Sequence, residues 1–145
     1  YFLARLAKAD VGKVVQMCIF HDVSESGSGD QNWIHKRYVK VFEDEISHDQ
    51  FDCLPFGKDI LALAEEYQER KSIEAKLAKD ADVLDQILLL KEYSHRGNQE
   101  AVTWLKDDNH SNMLLTPIAR RIAKEIMKQR PSNWWYRGGW TSNRR

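Results

Sequence analysis

The sequence predicts an all-α protein that forms a single domain, and three observations support this prediction. Apolar residues recur at helical spacing along most of the chain. No stretch alternates apolar and polar residues over the length of a strand. A chain of 145 residues with 42% hydrophobic and 30% charged residues is typical of one globular domain with its own core.

The expected helices follow one another along the chain, separated by polar or glycine-containing breaks. Ser72 is a suitable N-cap for a long helix, and Pro117 suits the first turn of the last one. The second helix has the clearest pattern, with apolar residues at i, i+3, i+4, i+7 and i+8; these are Val11, Val14, Val15, Cys18 and Ile19. The expected segments are Phe2–Ala7, Val11 to about Asp22, Trp33–Ile46, Asp59–Arg70, Ser72–Tyr93, Ala101–Leu105 and Pro117–Gln129.

Charge, cysteine content and hydropathy narrow the class of protein. The 22 basic and 22 acidic residues cancel, so the net charge indicates no class of partner. Cys18 and Cys53 lie far apart and predict reduced thiols in the cytoplasm. No apolar run reaches membrane length and no signal peptide is visible, so we expect no membrane association. The chain begins without Met inside a helical pattern, and we expect further residues ahead of Tyr1.

A His-Asp pair continues the apolar stripe of the second helix. His21 lies seven residues after Val14, and Asp22 lies seven after Val15, so both are expected to face the core. Glu25 lies on the same side if the helix persists. An inward His-Asp pair is costly unless a metal ion or hydrogen bonds compensate it. Periodicity leaves two interpretations open: a metal site, or a helix end with polar residues where the dipole favours His21.

The stretch HDVSESGSGD, His21–Asp30, resembles the signature of HD-domain phosphohydrolases. It is most similar to the branch of the 5′-deoxynucleotidases and the HD-domain-containing-2 proteins, which have Glu at +4 and Gly-Asp at +8 and +9. Glu25, Gly29 and Asp30 match those positions. A second block, EEYQERKSIEAKLAKDADVLDQILLLKEY (Glu65–Tyr93), is also similar to the family. The resemblance covers residues 1–93 well and the remainder loosely.

The resemblance implies an HD-domain helical bundle over residues 1–130 and a mononuclear metal site of two His and two Asp. His21, Asp22 and Asp82 match three of the ligands. The family's fourth ligand is a His just before a run like YFLARL, which here begins the sequence. The implied metal is a divalent transition ion, namely Mn, Co, Fe, Ni or Zn.

Other charged residues on the helix that carries Asp82 are expected to play no part in the metal site. Asp80 and Asp85 flank its apolar stripe and are expected to be solvated. Lys79 is expected to be solvated as well, rather than to face a phosphate.

The resemblance also implies catalytic roles for two carboxylates. Glu25 would orient or deprotonate water, or protonate the leaving oxygen, and Asp30 would contact the sugar or position the leaving group. The sequence lacks the second acid beside Glu25 that alarmone hydrolases of the wider superfamily carry. We therefore expect phosphate removal from (deoxy)ribonucleoside 5′-monophosphates. The alternative is a non-catalytic HD-fold protein that binds nucleotide or a partner and lacks the first metal-ligand His.

The last part of the chain differs in composition. Residues 118–145 contain eight basic residues and one acidic residue, a net charge of +7, and the aromatic stretch SNWWYRGGW. Such a tail suits base stacking on single strands, but we favour packing of residues 131–145 on the domain or on a partner subunit. We expect a homodimer and no nucleic-acid binding.

The remaining histidines share no metal-ligand spacing. His48 and His110 are expected in exposed loops, and His35 near a cleft entrance.

Overall fold

The structure is a computed structural model that describes residues 1–106 and 112–136, except the side chain of residue 135. In this part of the chain every regular element is a helix, so the all-α prediction is confirmed. The helices are α1 (Phe2–Ala7), α2 (Val11–Phe20), α3 (Glu25–Ser28), α4 (Trp33–Tyr38), α5 (Glu43–Phe51), α6 (Gly57–Glu69), α7 (Ile73–His95), α8 (Gln99–Lys106), α9 (Pro117–Lys128) and α10 (Asn133–Tyr136).

The chain divides into two compact units, Tyr1–Ala78 and Lys79–Arg145, and α7 begins in the first and ends in the second. In the first unit α2 packs on α1 and α6, and α5 packs on α3 and α6. Its core consists of apolar side chains from these helices and the start of α7, namely Leu3, Ala4, Val14, Met17, Phe51, Ile60, Tyr67, Ala75, Leu77 and Ala78.

Local signals define the helices that carry the first unit. The Asp10 carboxylate accepts a hydrogen bond from Lys13 N at 3.0 Å and thereby caps α2. Lys13 Nζ lies 2.7 Å from a carboxylate oxygen of Glu66, which joins α2 to α6. Ser72 caps α7 as expected, since its hydroxyl accepts a hydrogen bond from Ala75 N at 3.1 Å.

The turn from α5 into α6 depends on Gly57. A Cβ atom at this position would lie 1.8 Å from the backbone oxygen of Phe51. Glycine is the residue that allows this close approach.

The prediction of one helix over Trp33–Ile46 is wrong. The chain forms α4, leaves the helical conformation, and starts α5 at Glu43. Val39 ends α4 in extended backbone, with φ −117° and ψ 129°, as suits a β-branched residue. Three acidic residues then begin α5, where the helix dipole favours negative charge. The expected apolar face is not buried, because Ile34, Tyr38 and Phe42 are exposed.

The second unit is organised around the N-terminus of α9. Pro117 occupies the first turn of this helix as expected, and the Thr116 hydroxyl accepts a hydrogen bond from Ala119 N at 3.3 Å. The unit buries apolar residues of α7, α8, α9 and the segment before α9, namely Val83, Leu84, Ile87, Ala101, Leu114, Ala119 and Ala123.

The expectation that Asp80 is solvated is wrong. Its carboxylate is fully buried and accepts hydrogen bonds from Leu115 N at 2.6 Å, from Thr116 N at 2.9 Å and from the Thr116 hydroxyl. Asp80 therefore holds the segment that precedes α9. Helical periodicity did not reveal this role because the partners, two backbone N–H groups and the Thr116 hydroxyl, lie more than thirty residues away.

Some expectations fall on residues that the structure does not describe. His110 and most of the aromatic tail, residues 137–145, lie outside the described part, and the boundary at residue 130 stays a prediction. In the described ranges, no helix combines the length and apolar character needed to cross a lipid bilayer.

Candidate active site

His21 lies at the end of α2, where the helix gives way to turns. Its Nδ1 lies 3.1 Å from the carbonyl oxygen of Cys18, and because a carbonyl only accepts, Nδ1 carries the proton. The ring is largely buried and packs on Tyr67, with ring centroids 5.0 Å apart. This arrangement orients Nε2, the nitrogen that bears the lone pair in the neutral ring, as a hydrogen bond to the second nitrogen does for metal-binding histidines.

Asp22 does not face the core, so that part of the sequence prediction is wrong. Its side chain is 57% exposed, against 16% for His21. The buried row of α2 contains Val14 and Met17, whereas Ile19 on the other row is exposed. Since each helical residue turns by about 100°, the row through Ile19 leads Asp22 toward solvent, and the row through Val14 leads His21 inward.

The donor atoms of the pair nevertheless converge. His21 Nε2 lies 2.9 Å from Asp22 Oδ2. Two ligands at about 2.0–2.2 Å from one metal ion and at right angles lie roughly 3 Å apart. The pair therefore fits a divalent metal ion as neighbouring ligands. Within residues 1–106 and 112–136, no group of three or more His, Cys, Asp or Glu side chains forms a metal-binding cluster.

Glu25 begins α3 and stands beside this pair. Its backbone N donates to the carbonyl oxygen of Asp22 at 3.0 Å. The pKa of Glu25 is raised above its ordinary value, first because partial burial disfavours the charged form and then because Asp22 and Asp30 repel it. The positive charge of Lys36 acts in the opposite direction. Glu25 is thus electrostatically coupled to both neighbouring carboxylates.

Asp30 follows Gly29 in the loop between α3 and α4 and is exposed. Gly29 adopts φ 73°, a conformation that favours glycine. The Gln31 side chain holds the loop, since its Nε2 donates to Ser28 O at 2.8 Å and to Gly29 O at 3.2 Å. The structure thus gathers His21, Asp22, Glu25 and Asp30 in one unit.

Asp82, the third metal ligand implied by the resemblance, lies on α7 in the second unit. Its carboxylate is 39% exposed and accepts a hydrogen bond from Lys79 Nζ at 2.6 Å. The Lys79 side chain is only 20% exposed, so the expectation of a solvated lysine is wrong. Asp85 is exposed as expected. Of the two aspartates in the stretch KDAD (residues 79–82), Asp80 binds the backbone before α9, and Asp82 is the one that is only half-buried.

A family model for the HD domain matches residues 1–124. The chain belongs to the HD-domain family. HD domains belong to a superfamily of metal-dependent phosphohydrolases and generally bind divalent metal ions. No curated protein and no solved structure gave a significant match.

Some groups around the site of this HD domain were not found by sequence reasoning. A cleft of about 720 Å³ opens between α5 and α6 and is also lined by Phe20 of α2 and by His21, which follows it. This volume lies in the range of small-molecule sites. Tyr67, which supports the His21 ring, belongs to the EEY element of the second block, and this was its only signal.

His48 lines the same cleft as His21 in this HD domain. His48 is exposed as expected but lies in α5 instead of a loop, and its Nδ1 is 3.1 Å from the Asp52 carboxylate. His35 is exposed on α4.

Proposed function

We propose that this chain is a metal-dependent phosphohydrolase that releases phosphate from nucleoside 5′-monophosphates, with 2′-deoxy forms preferred. The observation that carries the proposal is the 2.9 Å approach of His21 Nε2 to Asp22 Oδ2 beside a carboxyl group of raised pKa. Membership of the HD-domain family supports the same class of reaction.

Three side chains would hold the metal ion. His21 and Asp22 supply one nitrogen and one oxygen, and the resemblance adds Asp82 as a further oxygen ligand. A divalent ion bound there supplies Lewis-acid activation of a water molecule and of a phosphoryl oxygen. The mixed nitrogen and oxygen ligands suit Mn, Co, Fe, Ni or Zn.

Glu25 would handle the proton in this reaction. A raised pKa lets the carboxyl group keep its proton at higher pH than an ordinary Glu, and a catalytic group transfers protons best when its pKa lies near the working pH. Glu25 can then hold a proton for the leaving oxygen or accept one from water. Its backbone contact with Asp22 keeps it next to the metal ligands.

Asp30 would limit the negative charge of the substrate. Its carboxylate can accept a hydrogen bond from a sugar hydroxyl, and it repels a di- or triphosphate tail or a 3′-phosphate. Base preference should be weak, because none of the assigned residues is matched to the edge of a base. The expected substrate therefore carries a single 5′-phosphate.

The test is phosphate release from ribo- and deoxyribonucleotides, as mono- and triphosphates, by the complete encoded chain loaded with Mn or Co. We expect release from monophosphates, and we expect Glu25→Gln to keep its metal and lose roughly 10²–10⁴-fold in turnover. Comparable release from triphosphates, or unchanged selectivity in Asp30→Asn, would refute the assigned substrate. No release from any nucleotide would favour the non-catalytic alternative.

A further inference from the structure

The imidazole of His21 is in contact with a buried aromatic ring. Tyr67 lies in α6, and only 4% of this residue is exposed. The centroids of the two rings are 5.0 Å apart, and the ring planes are inclined by 53°. This separation lies within the range of about 4.5–7 Å in which aromatic rings attract each other. Tyr67 therefore contacts a candidate metal ligand directly, and both residues belong to the first unit.

The helix that carries Tyr67 is fixed against the helix that His21 follows. α2 packs on α6, and Glu66, the residue before Tyr67, pairs with Lys13 of α2 at 2.7 Å. Ile60 lies seven residues before Tyr67, and both side chains are buried on the same face of α6. The position of the Tyr67 ring is thus set by the packing of two helices and not by a loop.

His21 needs such support because it stands where α2 ends. It is the C-cap residue of this helix, and turns follow it. Its Nδ1 donates a hydrogen bond to the Cys18 carbonyl oxygen at 3.1 Å, but a single hydrogen bond leaves the ring able to tilt about it. The last torsion of a His side chain has broad energy minima. The Tyr67 ring, which packs on the imidazole, restricts this remaining motion.

The orientation of the imidazole decides whether the two donor atoms of the pair stay together. His21 Nε2 lies 2.9 Å from Asp22 Oδ2, and the Asp22 side chain is the more exposed of the two. The buried imidazole is therefore the partner that the protein holds in place. Groups that bind a metal ion must stay within roughly 0.5 Å of their productive geometry. A ring that tilts carries Nε2 away from Asp22 and weakens the site.

Resting on the proposed function, we propose that Tyr67 is a positioning residue of the metal site. Its ring holds the His21 imidazole so that Nε2 and the Asp22 carboxylate face the same metal position. Tyr67 acts only through His21, and it binds neither the metal ion nor the substrate. Because the observed contact joins the two rings, a phenylalanine ring at this position should have the same effect.

The test is Co²⁺ binding by equilibrium dialysis of the complete encoded chain and three variants. Tyr67→Leu keeps an apolar side chain but removes the ring, and it should bind Co²⁺ roughly 10–100-fold more weakly, as for loss of a group that supports a metal ligand. Tyr67→Phe keeps the ring and should bind Co²⁺ as the wild type does. Ile60→Ala is the matched control, because it removes buried atoms two turns away on the same helix. It should lower Tm and leave the Co²⁺ affinity unchanged.

A second measurement reports on the imidazole without any metal ion. NMR of the ¹⁵N-labelled, metal-free chain, at a pH at which His21 is neutral, shows which ring nitrogen carries the proton. We expect one form, with the proton on Nδ1, in the wild type and in Tyr67→Phe. We expect both tautomers in Tyr67→Leu, because its imidazole can turn away from the Cys18 carbonyl. If Tyr67→Leu does not fold, Tyr67→Met replaces it in both measurements, since a flexible Met side chain fills irregular gaps.

The outcomes separate this inference from the proposed function. If the wild type binds Co²⁺ and Tyr67→Leu binds it as tightly, the role of Tyr67 is overturned and the metal site stands. Weakening by Ile60→Ala as large as that by Tyr67→Leu would show a general loss of packing, and weakening by Tyr67→Phe would show that the ring contact is not enough; either result overturns the inference. If the wild type binds no Co²⁺, the metal site is wrong and the NMR comparison decides alone. Equal tautomer populations in wild type and Tyr67→Leu would then overturn the role of Tyr67.

Discussion

The buried carboxylate of Asp80 should be a main source of stability in the second unit. Asp80→Asn keeps the size of the side chain but replaces one acceptor oxygen by an NH₂ group. Because three donors, from Leu115 and Thr116, point at the carboxylate, at least one donor loses its partner. A hydrogen bond to a charged group contributes about 1.5–3 kcal/mol, so loss of one or two predicts a decrease of about 2–5 kcal/mol in the free energy of unfolding.

Urea unfolding followed by circular dichroism measures this change. A loss of this size is a large part of the roughly 5–15 kcal/mol that stabilises a typical domain. It corresponds to a decrease in Tm of roughly 6–20 °C at this chain length. Asp85→Asn is the matched control, because Asp85 is exposed on the same helix and should change stability by about 0.5 kcal/mol or less. Asp80→Asn within that same margin would refute the structural role of Asp80.

Three further predictions concern other parts of the molecule. The pKa of Glu25 is raised above its ordinary value of 4.5, so ionisation of Glu25 destabilises the fold as the pH rises from 4.5 through the raised pKa. Measured in the presence of a chelator, the Glu25→Gln variant should therefore have a higher Tm than the wild type at pH 7 and the same Tm at pH 4. Gly57→Ala should decrease the free energy of unfolding in urea by about 1–3 kcal/mol, because the new Cβ clashes with the backbone oxygen of Phe51. Gly12→Ala, whose Cβ would have its nearest contact at 3.4 Å, should be neutral or stabilising in the same measurement. Asp82→Asn should abolish metal-dependent phosphate release that Asp85→Asn retains, and equal activity of the two variants would remove Asp82 from the site.

Sequence periodicity predicted the helices correctly where helix-start residues and the burial of the apolar face support the same helix. Ser72 and Pro117 mark helix starts that the structure confirms. The merged helix over Trp33–Ile46 failed because its apolar residues at helical spacing are not buried. Spacing alone does not distinguish a face that packs on the core from one that is exposed. Residues at the break between α4 and α5, such as Val39, disfavour a helix only modestly.

The residues of the candidate site were predicted from the family resemblance more than from helical periodicity. The HD pair and Glu25 follow from the resemblance, and periodicity gave the correct side for His21 but not for Asp22, one residue further around the helix. The charge of Lys36 acts on Glu25, and Tyr67 packs on the His21 ring. Each pair comes together only in the folded chain, so a single sequence does not identify it. Asp80 shows the same limit, because its burial depends on backbone donors before α9.

His21 and Asp22 are proposed to bind a divalent metal ion as neighbouring ligands. The most direct measurement is Co²⁺ binding by equilibrium dialysis of the complete encoded chain and its Asp22→Asn variant, with Asp85→Asn as the surface control. We predict that wild type and Asp85→Asn bind a single ion per chain with the same affinity. Asp22→Asn should bind it at least tenfold more weakly, since changes even to groups that only support a metal ligand cost roughly 10–100-fold. Unchanged Co²⁺ affinity in Asp22→Asn would contradict the claim.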